Sequence, residues 1–483
     1  MSKRNSRRQF LKTSSVLAAS ATLAGGLTIS QSAHAQGSDQ IKLALIGCGG
    51  RGTGAIRQRV KVGDNVKVVA LADAFEGQAR NAAGDLRNEA SNADNELSGK
   101  LDLPDDRVFV GLDAYKKAIA CLNPGDQVVI ATPPGFRPYQ YRAAIERGCH
   151  VFMEKPVCID APGFRHVMET NKMAEDKNLK VCVGFQRHAE PKYYKWIEQI
   201  HAGKIGTVQY TRVYWNGDIW CRERLAGQSE LQYQVNNWYH FVWLCGENIV
   251  EQHAHNIDIG NWIHSKGDRM AHPVRANAQG GRTFKAGPEA LLRQAPPFSD
   301  RAAWDEWYLK QNRGRDFNRH GQAWDHFFVE FEYDDGSRMF SQCRHIRNTW
   351  NHIDEHVYGT AGSGTAGQLV GLDGQRIWRN EERVPNPNPY EWEHNLQVKA
   401  IREDKPMHDG YYAAMSCMTA VLGREAAYCG QVVEWNKLVE EGRPYFPNGE
   451  ITSFDQIAPV QPDADGFYES TVPVPGVYNP YVF

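Results

Sequence analysis

The 483-residue sequence predicts a two-domain α/β protein, in which a doubly wound parallel sheet is followed by an α+β domain with an open, mostly antiparallel sheet. An apolar run at residues 41–46 leads directly into a glycine-rich turn. Apolar strands and helical segments then alternate to about residue 160, the order that builds a doubly wound sheet. Later strand-like stretches end in polar turns, which favours antiparallel pairing. We therefore expect domains at residues 40–160 and 161–445 and an extended C-terminal arm at residues 446–483.

Residues 1–35 have the pattern of a twin-arginine export signal. The segment Ser6-Arg7-Arg8-Gln9-Phe10-Leu11-Lys12 precedes a mildly apolar stretch at residues 16–29, which is too short and too diluted by small residues to span a bilayer. Ala33-His34-Ala35 then supplies a small-residue cleavage site. We expect cleavage after Ala35, no stable membrane anchor, and a periplasmic or otherwise exported protein whose partner is the twin-arginine machinery.

Composition limits the classes to which the mature chain can belong. About 450 residues remain after cleavage, enough for two substantial domains. Lys plus Arg number 55 and Asp plus Glu 57, so the chain lacks the basic surplus of a nucleic-acid-binding protein. The ten Cys residues include no C-x-x-C pair and meet a reducing cytosol before export, which favours free thiols. We expect no nucleic-acid partner.

The turn after the first strand, Gly47-Cys48-Gly49-Gly50-Arg51-Gly52, fits a dinucleotide-binding loop. Gly47 permits the tight turn, Gly49 and Gly50 let the backbone approach a pyrophosphate, and Gly52 allows close packing of helix on strand. The next apolar run ends in Asp73, about 20 residues on, where such a fold places an acid for the adenosine ribose. The sequence therefore predicts an N-terminal Rossmann domain with these five residues in its cofactor site.

Asp73 also indicates which dinucleotide is bound. A carboxylate accepts hydrogen bonds from both ribose hydroxyls and repels a 2′-phosphate, and the next residues, Ala74 and Phe75, supply no cation. NAD is therefore favoured and NADP is the weaker expectation, with Arg51 and Arg80 as the cations that could reverse it.

Two later strands end in residues suited to the same crevice. The run at residues 127–131 leads into Thr132 and Pro133, and the run at residues 150–153 leads into Glu154-Lys155-Pro156. Ligands of doubly wound sheets bind beyond the carboxyl ends of the strands. We expect Thr132, Pro133, Glu154 and Lys155 to line the cofactor site.

Together these motifs resemble the family of glucose-fructose oxidoreductase, inositol dehydrogenase and rhizopine-catabolism proteins, and the resemblance extends over about residues 40–440. It implies a second domain with an open sheet, through which family members associate as homo-oligomers. It also implies that Lys155 lies beside the nicotinamide and the substrate hydroxyl. Oxidation of a secondary alcohol releases a proton and develops alkoxide character, which a lysine ammonium can stabilise.

A second family motif follows an aromatic-rich segment that contains Trp238 and Tyr239. Family members usually show Asp-x-x-x-His with a further Asp three residues later, and here Glu251, His255 and Asp258 take those places. A spacing of four predicts that Glu251 and His255 share one helical face. The resemblance makes His255 the proton acceptor and Glu251 its support. We predict Lys155, His255 and Glu251 as catalytic residues; the predicted substrate-binding residues are Arg187, Trp238, Tyr239, His253 and Asp258.

Other chemistries are less well supported. His352-Ile353-Asp354-Glu355-His356 matches the H-x-x-E-H zinc pattern, which requires a helix, but this segment runs into a glycine turn as a strand would. His253-x-His255 has no further Cys or His at a ligand spacing. We predict no metal site. An aromatic cluster suits either the core or a sugar-binding face: Trp304, Trp307, Tyr308 and Trp324. Arg137 stands where family members often have a histidine, a local variation with consequences for cofactor or anion contacts.

These observations predict an exported NAD-dependent oxidoreductase acting on a secondary hydroxyl of a sugar, cyclitol or glycoside. Twin-arginine export carries folded proteins, so NAD can be loaded in the cytoplasm and must then be held tightly and recycled within the site. Two alternatives stay open. One is a redox-neutral NAD-dependent glycosidase that oxidises, eliminates, adds water and reduces. The other is a non-catalytic sugar-binding protein with structural NAD. In either case the C-terminal arm covers its own site or contacts a neighbouring subunit.

Overall fold

The computed structural model describes residues 40–63, 65–267, 270–282, 302–303, 306, 320–346, 349–381, 388–447, 451–464 and 466–482. The predicted signal, its cleavage site, and Trp304, Trp307 and Tyr308 lie outside these residues. All ten Cys are free thiols. Among the described residues, no helix has both the length and the apolar character needed to cross a membrane.

The first sheet is a six-stranded parallel sheet with the order β3-β2-β1-β4-β5-β6. This is the strand order of a Rossmann fold, which confirms the predicted doubly wound domain. Its strands are β1 (Ile41–Ile46), β2 (Val66–Asp73), β3 (Val108–Val110), β4 (Gln127–Ile130), β5 (His150–Met153) and β6 (Val181–Val183).

Helices cover both faces of this sheet because its strands are apolar on both sides. In β1, Leu43 and Leu45 pack with Ile56 on one face, whereas Ala44 and Ile46 belong to the core on the other. Alternate side chains of a strand point to opposite faces, so a continuous apolar run requires cover on both. The helices are α1 (Gly50–Lys61), α2 (Glu76–Ser91), α3 (Ala114–Ala120), α4 (Arg137–Arg147) and α5 (Ala161–Asp176).

The second sheet has nine strands in the order β14-β13-β12-β11-β7-β10-β9-β8-β15. Its pairings are antiparallel except for β7 with β10, which confirms a mostly antiparallel sheet. The strands are β7 (Val208–Gly217), β8 (Arg275–Gly281), β9 (His326–Glu332), β10 (Arg338–His345), β11 (His352–Gly359), β12 (Gly362–Thr365), β13 (Gln368–Gly371), β14 (Arg376–Arg379) and β15 (Val433–Glu434).

Among the described residues, the helices Asn248–Glu251, Ala254–His264 and Gly410–Cys429 pack on the second sheet. Between β6 and β8 lie α6 (Pro191–His201), α7 (Glu230–Asn236), α8 (Val242–Cys245), α9 (Asn248–Glu251) and α10 (Ala254–His264). After β14 come α11 (Pro389–Arg402), α12 (Gly410–Cys429) and α13 (Trp435–Glu441). The long helix α12 approaches β9 so closely that a Cβ added to Gly423 would lie 2.8 Å from the Phe331 ring.

Helix α11 returns to the first sheet, although it belongs to the C-terminal half of the chain. Gln397 Nε2 donates to the Val151 carbonyl at 2.7 Å, and Gln397 Oε1 accepts from Gln127 Nε2 at 2.7 Å. These buried hydrogen bonds tie helix α11 to strands β4 and β5. Helix α11 therefore packs against strands that precede it by about 250 residues in the sequence.

Candidate functional site

The glycine loop after β1 forms a cradle that suits a pyrophosphate. Gly47 has φ +91°, and a Cβ there would lie 2.7 Å from the Ala131 carbonyl carbon. A Cβ on Gly52 would overlap the Gly47 carbonyl oxygen. In contrast, Cβ atoms on Gly49 and Gly50 would meet nothing within 4 Å. Gly47 and Gly52 allow the loop to pack closely. Gly49 and Gly50 leave its backbone accessible at the N-terminus of α1, where backbone N–H groups bind anions.

Asp73 joins this loop to the end of β2. Its Oδ2 accepts the Cys48 N–H at 2.7 Å and its Oδ1 accepts the Phe75 N–H at 2.9 Å. Burial raises the pKa of the Asp73 carboxyl, while the backbone amides and the nearby Arg222 guanidinium oppose that shift. The carboxylate thus helps to shape the glycine turn, a role that the sequence did not indicate.

A cleft of about 760 Å³, open to solvent, extends from the glycine loop past Asp73. Thr132 and Pro133 line it, as predicted for the cofactor site. Trp238, predicted to bind substrate, lies in this same cleft. Its further walls come from the first domain and from the segment after β7: Phe75, Gln78, Leu112, Tyr115, Phe136, Gln140, Arg222 and Val235. Gly49 lies in this cleft with open space at its Cβ position, so the backbone there is accessible to a phosphate.

Lys155 follows β5 and meets the second domain at Glu251. Its Nζ donates to the Glu251 backbone carbonyl and lies 3.4 Å from the Glu251 Oε1. The Lys155 and Glu251 side chains are 9% and 5% exposed, so this is a buried ion pair. Burial raises the pKa of the Glu251 carboxyl, although Lys155 and the Tyr239 hydroxyl counteract this. Tyr239 in turn accepts a hydrogen bond from Gln252 Nε2 at 2.8 Å.

His255 is buried near this pair, where the charge of Lys155 acts on it. Its ring lies against Trp215 at 5.9 Å between centroids and meets Phe185 edge-on at 5.6 Å. Burial, followed by the charges of Lys155 and Arg187, lowers the pKa of His255 well below its usual range. Its Nδ1 is buried without a hydrogen-bond partner among the described residues. A neutral imidazole beside a lysine can accept a proton from an alcohol.

The prediction that Glu251 and His255 share one helical face is wrong. Glu251 ends α9, and His255 lies in the first turn of α10. Between them the chain turns His253 toward the second sheet, where its Nε2 lies 2.8 Å from the Ser341 Oγ. His253 is fully buried, and burial lowers its pKa to about 3. The break in the helix still leaves Glu251 against Lys155, with the Lys155 charge acting on His255.

Arg187 has a buried partner that the sequence did not reveal. Its guanidinium pairs with Glu355, whose Oε2 also accepts the Tyr193 hydroxyl at 3.1 Å. Glu355 belongs to the rejected zinc pattern, and strand β11 points it away from His352 and His356. Sequence position alone gave no signal for this pairing, because the two partners are 168 residues apart.

Asp258 likewise bonds within the protein. Its Oδ2 lies 2.6 Å from His188 Nε2, and its Oδ1 accepts the Ser416 hydroxyl at 2.8 Å. The His188 ring stacks on Trp262 with centroids 4.1 Å apart. The predicted role of Asp258 in substrate binding stays a prediction, and its partner His188 was missed.

Arg137 connects the two strand-end loops of the first domain. It is fully buried, and its guanidinium donates to the carbonyls of Thr132 and Pro156. Burial lowers its pKa to about 10. The side chain therefore positions the loops that carry Thr132 and Lys155, a stronger role than the local variation expected from the sequence. Glu154 pairs with Arg51 of the glycine loop at 2.6 Å.

Comparison with known proteins agrees with this geometry. Residues 41–185 match the model of the oxidoreductase family with an NAD-binding Rossmann fold. Residues 4–24 match the model of the twin-arginine translocation signal, which confirms the predicted export signal.

Curated relatives include inositol dehydrogenases. The chain is 24% identical over 224 residues to inositol 2-dehydrogenase/D-chiro-inositol 3-dehydrogenase of Lactiplantibacillus plantarum, covering 46% of this chain and 52% of the relative. It is 25% identical over 229 residues to scyllo-inositol 2-dehydrogenase (NAD(+)) of Bacillus subtilis, covering 46% and 54%. The chain thus spans about half the length of the curated relatives it matches.

Solved structures share the fold over most of the chain. Levoglucosan dehydrogenase in complex with NADH and levoglucosan aligns with a TM-score of 0.58 at 16% identity, covering 82% of this chain and 99% of that one. Aldose-aldose oxidoreductase from Caulobacter crescentus, complexed with glycerol, aligns with a TM-score of 0.55 at 14% identity and the same coverage. Identities this low establish the shared two-part fold alone.

Proposed function

We propose that the protein is an exported NAD-dependent oxidoreductase, because residues 41–185 match an oxidoreductase family with an NAD-binding Rossmann fold and residues 4–24 match a twin-arginine signal. The enzyme oxidises a secondary hydroxyl group of a sugar, cyclitol or glycoside, and it acts in the periplasm. The supporting observation is the buried ion pair of Lys155 and Glu251 beyond the carboxyl end of β5, with the charge of Lys155 acting on the buried His255. The named substrates of the relatives and structural neighbours belong to this chemical class.

In this proposal each of the three side chains has a separate task. His255, neutral at physiological pH, accepts the hydroxyl proton. Lys155 donates a hydrogen bond to the substrate oxygen as it gains negative charge, a kind of stabilisation that is strong in a water-poor site. Glu251 fixes Lys155 through its carbonyl and carboxylate. NAD, held by the glycine loop and Asp73, supplies the hydride acceptor when bound.

The export signal constrains how the reaction cycle ends. NAD that enters with the folded protein has no exchange pool outside the cytoplasm, so the reduced cofactor must be reoxidised in place. A second carbonyl substrate does this in a two-substrate oxidoreductase. A redox-neutral glycosidase does it by returning the hydride to the ketone that forms when water adds to its elimination product, and the export signal favours this second candidate over a dehydrogenase that releases NADH.

One experiment separates these candidates. The mature protein is purified and tested for copurified NAD, then mixed with sugars, cyclitols and nitrophenyl glycosides while reduced cofactor and released nitrophenol are followed. Reduction of bound NAD alone supports the oxidoreductase. Nitrophenol release without net reduction supports the glycosidase.

The decisive variant is Lys155→Met, with Lys399→Met on the exposed side of α11 as the matched control. We expect Lys155→Met to keep bound NAD and to slow the first hydride transfer by about 10²–10⁴-fold, the usual contribution of a positioned acid-base group. Lys399→Met should react like the unaltered protein. Hydride transfer at the unaltered rate in Lys155→Met would refute the catalytic assignment, and no reaction on any substrate would favour the non-catalytic binding protein.

A further inference from the structure

The adenosine end of the cofactor cleft is walled by a segment that lies outside the Rossmann domain. Arg222 and Trp238 line the cleft together with Asp73 and Phe75, although they follow the first strand of the second sheet. Asp73 is the ribose-binding position in folds of this kind, so this part of the cleft is the adenosine half. The two side chains therefore face a bound dinucleotide from the side opposite to the Rossmann loops.

This wall is internally braced. The Arg222 N–H donates to Asn237 Oδ1 at 2.9 Å, and the Arg222 guanidinium donates to the Asn236 carbonyl at 3.3 Å. The guanidinium also lies 5.0 Å from the Trp220 ring centroid. Trp238 packs on Tyr239 with centroids 4.1 Å apart. The side chains that face the cleft are therefore held by neighbours within the same segment.

The C-terminal arm holds this wall against the first domain. The Ser229 hydroxyl, which caps α7, donates to the Phe454 carbonyl at 2.8 Å, and the Phe454 ring lies 5.3 Å from the Phe75 ring. Farther along the arm, the Tyr468 hydroxyl donates to Glu230 Oε1 at 2.6 Å. The arm thus contacts Phe75 of the first domain and the start of α7, within the segment that carries Arg222 and Trp238.

Both ends of the arm are fixed in the protein core. At its start, Asp160 Oδ2 accepts the N–H groups of Tyr445 and Phe446 at 2.7 and 3.1 Å. Near its end, the Tyr478 hydroxyl donates to Glu425 Oε2 at 2.6 Å. An arm anchored at both ends resists the opening of whatever lies beneath it.

We propose that Arg222 and Trp238 are cofactor-binding residues and that the arm, through Phe454, keeps them closed over the adenosine half of NAD and slows its release. The inference rests on the proposed function in one respect, since it takes NAD as the resident ligand. It assigns the arm to its own chain's cofactor site.

The test is the rate at which bound NADH leaves the mature protein. NADH-loaded protein is mixed with excess NAD, and the loss of bound-cofactor fluorescence is followed for the unaltered protein, Arg222→Ala, Phe454→Ala and Ile457→Ala. Ile457 lies on the same arm and is 87% exposed, so its variant is the matched control. We expect Arg222→Ala and Phe454→Ala to release NADH roughly five- to tenfold faster, the scale of one lost aromatic or cation contact. Ile457→Ala should match the unaltered protein.

Release at the control rate in both Arg222→Ala and Phe454→Ala would overturn the proposal. Thermal unfolding of each loaded variant shows whether it has folded; if Phe454→Ala has not, Arg222→Ala, altered at the exposed rim of the cleft, decides alone. Failure of the proposed function has a different signature. The unaltered protein would then bind no NAD, or would bind it and react with no substrate.

Discussion

Alanine substitutions at Gly49 and Gly52 should have opposite consequences, although the two glycines belong to the same loop. Gly49 has φ −69° and ψ 179°, a conformation that alanine adopts freely, and its Cβ would meet nothing within 4 Å. Replacing glycine with alanine reduces the conformational entropy of the unfolded chain, which raises the free energy of unfolding by about 0.4–1 kcal/mol. The poorer helix cap offsets a comparable amount, because alanine caps a helix less well than glycine by roughly 0.5–1 kcal/mol. The free energy of unfolding of cofactor-free Gly49→Ala should therefore stay within about 1 kcal/mol of the unaltered protein.

The same methyl group would occupy the space where the pyrophosphate approaches the backbone. Losing one charge-assisted hydrogen bond from a backbone N–H to phosphate costs about 1.5–3 kcal/mol. The Kd for NAD should accordingly rise roughly ten- to hundredfold.

Gly52→Ala provides the contrast, since its Cβ would overlap the Gly47 carbonyl oxygen and lie 3.2 Å from Leu45 Cδ1. Such overpacking typically costs 1–3 kcal/mol, about 3 kcal/mol or more for a clash with backbone. Urea unfolding of the cofactor-free proteins and titration with NAD measure the two quantities separately. Unaltered NAD affinity in Gly49→Ala would refute the assignment of the open glycines to the pyrophosphate.

Two further predictions concern buried charge. Burial lowers the pKa of His264 to about 3, so as the pH falls below 6.5 the unfolded chain binds a proton that the folded chain does not. The free energy of unfolding should therefore fall by about 2 kcal/mol between pH 6.5 and 5, and by less in His264→Gln, as measured by urea unfolding at each pH. Equal pH slopes in the two proteins would contradict this. Glu355→Gln leaves the Arg187 guanidinium buried without its anion and should lower the free energy of unfolding by about 3–5 kcal/mol. The double variant Arg187→Met/Glu355→Gln removes the unpaired charge and should recover part of this loss. If it recovers none, the loss arises elsewhere.

Local pattern was sufficient for the first domain. The alternation of apolar runs and helices predicted the doubly wound sheet, and the spacing from Gly52 to Asp73 identified the cofactor loop, because each feature lies within a few turns of chain. The same reasoning identified β11 as a strand and so separated Glu355 from the histidines beside it. Each of these inferences depends on backbone periodicity, which neighbouring residues determine.

Long-range packing determined the rest. The helix breaks between Glu251 and His255 where His253 bonds to Ser341, a partner 88 residues away that no spacing rule identifies. The positioning role of Arg137 was not predicted, because its hydrogen-bond acceptors are backbone carbonyls of two separate loops. Arg222 lines the cleft together with Phe75, and Phe454 of the arm packs on Phe75, although Arg222 and Phe454 are 232 residues apart in the sequence.

The order of synthesis gives the arm's position a consequence for cofactor loading. Asp73 leaves the ribosome 381 residues before Phe454, so the loop that binds NAD exists well before the chain that covers it. At about 5–20 residues per second, that interval is roughly 20–75 s. On the proposed role of the arm, a nascent chain would meet cytoplasmic NAD before Phe454 is made, and the cofactor would be enclosed only once the arm has packed against Phe75.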